Sequence, residues 1–271
     1  MKKVIIAFLL ASVSMTAQVK TTRTVGDFSQ VQVSQGIELN YTVSNTTKIT
    51  VEAETKESLQ YIKTAVKGKS LVVYIESEKG KWGKSTNRKI KDVKVFVEGP
   101  NLDAVTVSSS AMFIGKDALK TNNFALGVSS SGYFKGDIKA TNCTVSVSSS
   151  GDVEATIQAS GLVDLRSSSS ADINAVIHAE ELSLSSSSSS GMKLSGDVKS
   201  IKAGLSSSSK ILAKDLKARE LEVSASSSAS GFFYVSEKMN AAAASSASIK
   251  YYGSPREVNV KKASSGTIKK A

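Results

Sequence analysis

Asp152 and Asp172 each directly follow a serine run closed by a small residue, and they stand twenty positions apart. On neighbouring strands such a pair could bring two carboxyls to the roughly 5 Å separation at which one serves as nucleophile and the other as acid in retaining glycoside hydrolysis. The remaining reactive residues are few. His178 is the sole histidine and Cys143 the sole cysteine. No intramolecular disulfide can form, and one imidazole plus one thiolate falls short of a zinc ligand set. A Ser-His-Asp site needs the histidine beside an activated serine and an acid. His178 instead lies in AVIHAEE (175–181), at a position that corresponding segments fill with Lys120, Lys139, Gln158, Lys199 and Lys217. A column that alternates histidine with lysine and glutamine reads as solvated surface. Sugar cleavage also wants aromatic platforms, yet aromatics are 6% of the chain and its one tryptophan, Trp82, precedes the repeats. The balance points to a protein without catalytic residues or cofactor. A polysaccharide-active enzyme using Asp152 and Asp172 stands as the alternative.

Charge suggests binding. The formal net charge is +11, and removal of Lys2 and Lys3 with an N-terminal segment would leave +9. The lysine column Lys120, Lys139, Lys199 and Lys217 predicts a basic stripe, partly neutralised by Asp117, Asp137, Asp197 and Asp215 two residues before it. EKGKWGKSTNRKIK (78–91) predicts a basic loop in which Lys79, Lys81, Lys84, Arg88 and Lys89 surround Trp82. Such a loop could grip an acidic polysaccharide or another surface component by charge attraction and stacking. Nucleic acid would be attracted by the same physics, but no recognition motif for it is present.

The elements that carry these residues are set by a repeat. Serine runs close at Ala111, Gly132, Gly151, Ala171, Gly191, Lys210, Ala229, Ala247 and Gly266, at intervals of 18 to 21 residues. Between the runs the pattern has period two, as in GDIKATNCTVSV (136–147) and KDLKARELEV (214–223), which predicts strands. Leu119, Ile138, Ile157, Ile177, Val198 and Leu216 form one inward column, and Val107, Val128, Val147, Leu165, Leu184 and Leu205 form another. Cys143 alternates in phase with Val145 and Val147 and is expected to be buried. A unit of about 19–20 residues cannot bury its apolar side alone, so the units must stack. The expected fold is all-β: a single-stranded parallel β-helix, or solenoid, with right-handed crossovers favoured and an irregular β cap at its N-terminus.

Within this fold the serines should form ladders. With Val147 inward, alternation places Ser148 outward, Ser149 inward and Ser150 outward, leaving Gly151 for the turn. The ladder would run through Ser109, Ser130, Ser149, Ser169, Ser189, Ser208 and Ser227. Two readings are open: the ladder only builds a corner, or its outward hydroxyls touch a glycan or partner. An ice-binding face is disfavoured, because threonine arrays are absent.

Residues 18–104 lack serine runs but are strand-like in FSQVQVSQGIELNYTV (28–43), KITVEAE (48–54), KSLVVYIES (69–77) and KDVKVFVEG (91–99). ESLQYIKTAVKG (57–68) fits a helix or a strand pair. Phe28, Val31, the Gly36-Ile37-Glu38 step, ITVEAE, Leu59, the Gly68-Lys69-Ser70-Leu71 hairpin and the following serine-closed repeats together resemble the head GIN domain family, over roughly residues 25–265. Glu38 stands where the family name suggests asparagine. The resemblance implies a β-helix-like fold and an adhesin-like role in bacterial envelopes, with no catalytic residues.

MKKVIIAFLLASVSMTAQ matches a cleaved secretory signal, with two lysines, a short apolar run and a cut near Ala17–Gln18. The expected organisation is a signal peptide at 1–17, an N-terminal β part at 18–104, and solenoid repeats at 105–271 ending in a polar, lysine-rich cap. The expected location is exported, in the periplasm, on the surface or secreted, with no transmembrane segment in the mature chain. Edge strands leave a homo-oligomer open, and a purely structural or oligomerising envelope protein is a further alternative.

Overall fold

The computed structural model describes residues 19–76 and 90–271. The expected signal segment, and with it Trp82, Lys79, Lys81, Lys84, Arg88 and Lys89 of the basic loop, lie outside the described residues.

The N-terminal part holds β1 (Val19–Arg23), β2 (Gln30–Val33), β3 (Glu38–Val43), β4 (Lys48–Ala53), α1 (Lys56–Tyr61), β5 (Ile62–Lys67), β6 (Ser70–Ile75) and β7 (Lys94–Gly99). The coil that follows comprises β8 (Ala104–Val107), β9 (Met112–Gly115), β10 (Leu119–Val128), β11 (Tyr133–Val147), β12 (Asp152–Ala159), β13 (Leu162–Ser167) and β14 (Asp172–Ser186). It continues through β15 (Gly191–Leu205), β16 (Lys210–Ala225), β17 (Ser230–Ala243), β18 (Ser248–Tyr252), β19 (Glu257–Lys262) and β20 (Thr267–Lys270). All the strands belong to one continuous sheet wound into a β-solenoid of about nine turns.

Each turn has two faces. In the turn of β12 and β13, Val153, Ala155 and Ile157 point inward from the first face and Val163, Leu165 and Ser167 from the second. The alternation read from the sequence is therefore the alternation of the coil. Successive turns pair in parallel, as in Val153 beside Ile173 and Ile157 beside Ile177, at a spacing of about 4.8 Å. Every inward side chain stacks on its counterparts above and below, and truncating one such as Ile157 to alanine is expected to cost about 2–5 kcal/mol.

The serine corner is built differently from the alternating ladder expected. Ser149 and Ser150 both have positive φ, 51° and 59°, and the Gly151 amide closes the turn on the Ser148 carbonyl at 3.0 Å. Two consecutive left-handed residues reverse the chain as in a type I′ turn. That reversal breaks the alternation, so Ser149 is exposed and Gly151 is the first inward residue beyond the turn. The same φ pair recurs at nine serine corners, from Ser109–Ser110 to Ser264–Ser265. In this frame Ser109, Ser130, Ser149, Ser169 and Ser227 take the first turn position, whereas Ser189 and Ser208 take the second. The residues equivalent to Gly151 are accordingly Ser190 and Ser209, not Gly191 and Lys210. The ladder bonds are made by the backbone: Ser131 donates to the Ser149 carbonyl and Ser150 to that of Ser169, each at 3.0 Å. The serine hydroxyls stand outward in two columns.

A second set of serines does turn inward. Ser167 and Ser186, not Leu165 and Leu184, continue the column of Val107, Val128 and Val147. Their hydroxyls meet that of Ser190 at 2.9 and 3.0 Å, and Ser209 donates to the Ser186 carbonyl at 2.8 Å. All four serines are buried; the hydroxyls of Ser167, Ser186 and Ser190 satisfy one another, and that of Ser209 is satisfied by the backbone.

At the N-terminal end, chain order and spatial order part. The turn made by β2 and β3 has its corner at Gln35–Gly36, both at positive φ. It lies between β8 and β9 on one side and β6 and β7 on the other, in parallel register with all four. Gly36-Ile37-Glu38 is thus the first corner, with Ile37 buried beneath it. Antiparallel strands finish the stack: β4 lies against β7, β1 against β4, and β5 against β6. The ambiguous stretch 57–68 resolves into the end of α1 followed by β5. Arg23 of β1 donates to the carbonyls of Leu59 at 2.9 Å and Ile62 at 2.5 Å, which ties the cap closed. Tyr41, Phe113 and Phe134 stack through three successive turns, with centroids 5.7 and 5.4 Å apart.

At the other end, the stretch read as a polar cap forms a further regular turn. β18 pairs with β20 and β17 with β19, all in parallel.

Candidate functional site

The solenoid presents outward columns, and each candidate residue can be placed on them. Asp152 and Asp172 are direct register partners on adjacent turns of the first face, both exposed. Partial burial, and secondarily the neighbouring Asp172 carboxylate, push the Asp152 carboxyl up from its ordinary range. A depression of about 300 Å³ beside the pair is lined by Lys135, Asp137, Glu154 and Thr156 among others and not by either aspartate. The pair is adjacent, as the sequence implied, but it stands on open sheet.

His178 faces solvent, with its Nδ1 2.6 Å from Asp197 Oδ1 on the next turn. Among the described residues no serine hydroxyl hydrogen-bonds the imidazole, and no group of three or more potential metal ligands occurs. Cys143 is buried, and burial pushes its thiol up to about 12.

The lysine stripe is broken. Register runs Lys120, Lys139, Gln158, His178, Asp197, Lys217, so Asp197 occupies the place expected for Lys199. The cause is Gly196, which fills the inward column opposite Ile177 without a side chain, while Val198 pairs two residues later with Ala179. Lys120 and Lys139 form one small basic patch. Lys199 and Lys217 meet in another, where with Arg219 they line a depression of about 550 Å³ bordered by Tyr234 and Ser236 and, on the acidic side, by Glu180 and Asp197.

Tyr234 belongs to a group that sequence reasoning missed. Phe232, Tyr234 and Tyr252 stand on the outer side of the first face, half-buried, on two adjacent turns. The signal was available in GFFYV (231–235) and KYYG (250–253), one repeat apart. In each doublet one aromatic points inward and its neighbour outward, which overall aromatic content could not reveal.

No curated protein matches the chain. Solved structures do match its fold. A putative adhesin from Parabacteroides merdae superposes with a TM-score of 0.69 at 19% identity, covering 94% of this chain and 96% of the other. A putative adhesin from Parabacteroides distasonis gives 0.67 at 20% identity, over 94% and 97%. A protein from the same species described as a putative lipid binding protein gives 0.59 at 20% identity, over 94% and 96%. The family described as "Putative auto-transporter adhesin, head GIN domain" matches residues 27–163 and again 155–255. These matches, which span the N-terminal turns and most of the coil, agree with the residues that carry the resemblance in the sequence, and the chain belongs to that family.

Proposed function

We propose that the protein is a non-enzymatic, exported, adhesin-like binding protein of the cell envelope that holds acidic polysaccharide through its basic patches. The observation that carries this reading is the convergence of Lys199, Lys217 and Arg219, all exposed, around the depression beside Tyr234. Cations grouped at a concave surface attract polyanions more strongly than the same charges dispersed over a rod. Family membership supports the adhesin-like role, and the N-terminal lysines, apolar run and Ala17 support export. Among the described residues no helix is long and apolar enough to cross a membrane.

The test is retention of the purified protein on a panel of acidic and neutral polysaccharides across a salt series, with released reducing ends scored in parallel. Retention on acidic polymers that weakens with salt, without release, is expected. Release of reducing ends that disappears in Asp152→Asn would replace this reading with the enzyme. Neither retention nor release, together with self-association, would replace it with a structural rod.

A further inference from the structure

We propose that Phe232, Tyr234 and Tyr252 form a stacking platform for the sugar rings of an acidic polysaccharide, with Lys210 and Lys250 beside them binding its carboxylates. This rests on the polyanion-binding reading above and assigns it a second, ring-selective component.

The register fixes the arrangement. Tyr234 and Tyr252 are direct partners on adjacent turns, about 4.8 Å apart along the coil. Phe232 lies two residues before Tyr234 on the same strand and projects from the same side, about 6.6 Å away. On the middle turns the column that holds Phe232 carries Lys135, Glu154, Asn174 and Lys193, the polar residues that a wet sheet face calls for, and it turns apolar at Leu212, the register partner of Phe232 on the turn before. Three clustered rings on such a face leave apolar area in water that a partner can cover.

The lysines are poised over the rings. Lys210 Nζ lies 5.8 Å from the Phe232 centroid and Lys250 Nζ 5.9 Å from the Tyr252 centroid. These are cation–π distances. Neither ammonium pairs with a carboxylate among the described residues, so both keep charge to offer an anion. Gly253, at φ 93°, carries the chain away from Tyr252, and a Cβ there would meet the Val235 carbonyl oxygen at 2.2 Å.

Half-buried rings, bordered by cations and by the Lys199–Lys217–Arg219 depression, match a pyranose that has an apolar face and a carboxylate edge, its carboxylates drawing Lys210 and Lys250 aside. A lipid acyl chain would need an enclosed apolar cavity, whereas this surface is open and charged at its rim.

The experiment measures binding of purified protein to polygalacturonate by affinity electrophoresis and calorimetry. Tyr234→Ser/Tyr252→Ser is expected to lose at least tenfold in affinity with its thermal midpoint little changed. Tyr234→Phe/Tyr252→Phe should keep most of the affinity, and Lys210→Gln/Lys250→Gln should bind several-fold more weakly with a shallower salt dependence. Should the serine variant fail to fold, Tyr252→Trp reads the contact directly, through an emission change on adding polygalacturonate that exceeds the change of the wild type, whose one tryptophan is Trp82. Wild-type affinity in the serine variant, or an unchanged emission, would overturn the platform while leaving charge-driven retention standing. Retention by phosphatidylglycerol vesicles but not by polygalacturonate would overturn it in favour of a membrane surface. Absence of wild-type retention on any acidic polymer would overturn both readings.

Discussion

Replacing Ser190 by alanine removes the hub of the buried hydroxyl cluster. Its Oγ lies 2.9 Å from Ser167 Oγ, 3.0 Å from Ser186 Oγ and 3.0 Å from the Ser167 carbonyl it donates to. After the change the 3.2 Å contact between Ser167 and Ser186 is the one hydroxyl–hydroxyl bond left in the cluster, in a site where neither hydroxyl reaches water. Alanine itself fits, because Ala171, Ala229 and Ala247 hold the equivalent place in other turns. The loss is therefore the cost of unsatisfied buried groups, about 2 kcal/mol. For a chain of this size that corresponds to a drop of about 4–8 °C in thermal midpoint. Ser167→Ala/Ser186→Ala/Ser190→Ala removes the hydroxyls together and leaves an interior like that of the turn containing Ala225 and Ala229. It should cost about 1 kcal/mol or less, because no hydroxyl is left without a partner. Differential scanning calorimetry and urea unfolding of the wild type, the three single variants and the triple variant test this. A triple variant destabilised by the sum of its singles would refute the reasoning, since independent sites add and a shared network does not.

Four further outcomes follow from the geometry. Gly196→Ala should destabilise by about 3 kcal/mol or more, because the new Cβ would sit 2.1 Å from the Ile177 carbonyl oxygen in a backbone at φ 111°; urea unfolding measures it. Ser150→Val adds β-branching in the left-handed region and should cost about 1 kcal/mol beyond what serine bears there, whereas Ser150→Gly should change the urea midpoint little. The Cys143 thiol, pushed up to about 12 by burial, should react with a disulfide reagent at pH 8 only as fast as the protein opens. Asp152 holds its proton to higher pH when folded than when unfolded, so its ionisation lowers stability as pH rises from the ordinary aspartate range. Asp152→Asn should raise the unfolding free energy measured in urea at pH 7 by about a few tenths of a kcal/mol at most for so exposed a site, and the gain should vanish below about pH 4.

Much of the coil was legible because its interior repeats. Isoleucine or valine every second residue, punctuated every 18 to 21 residues, fixes strands, stacking and the inward columns without reference to any partner. The corner was less legible. Alternation is a property of extended backbone, and it fails once two residues enter the left-handed region, so Ser149 could not be placed by counting from Val147. The register near Gly196 misled for a related reason: an inward glycine carries no hydrophobic signal, and the eye moves on to Val198. Of the candidate binding residues, Lys199 and Lys217 do meet, but beside register shifts on both sides of β16, opposite Lys193–Ser195 of β15 and between its own Ala213 and Lys217 against β17, that no spacing rule predicts.

The two serine columns and the aromatic surface make different demands on the chain. At a corner, both residues must accept positive φ, the backbone must bond to the turns above and below, and the side chain must not reach inward. Glycine meets the first demand most easily but enlarges the freedom lost on folding. Serine accepts a left-handed cost of about 1–2 kcal/mol per residue and restricts the unfolded chain, so the two choices lie close in free energy, and the outward hydroxyl hydrates an edge that nothing covers. That function is complete within the fold and needs no ligand to explain it. No such account exists for Phe232, Tyr234 and Tyr252, which fill no core and meet the neighbouring turns only on the outer surface, as Lys210 does over Phe232. Side chains that the solenoid does not require are where a binding role has to be sought, and this reasoning places the test on the C-terminal turns of the first face, not on the serine ladder that dominates the sequence.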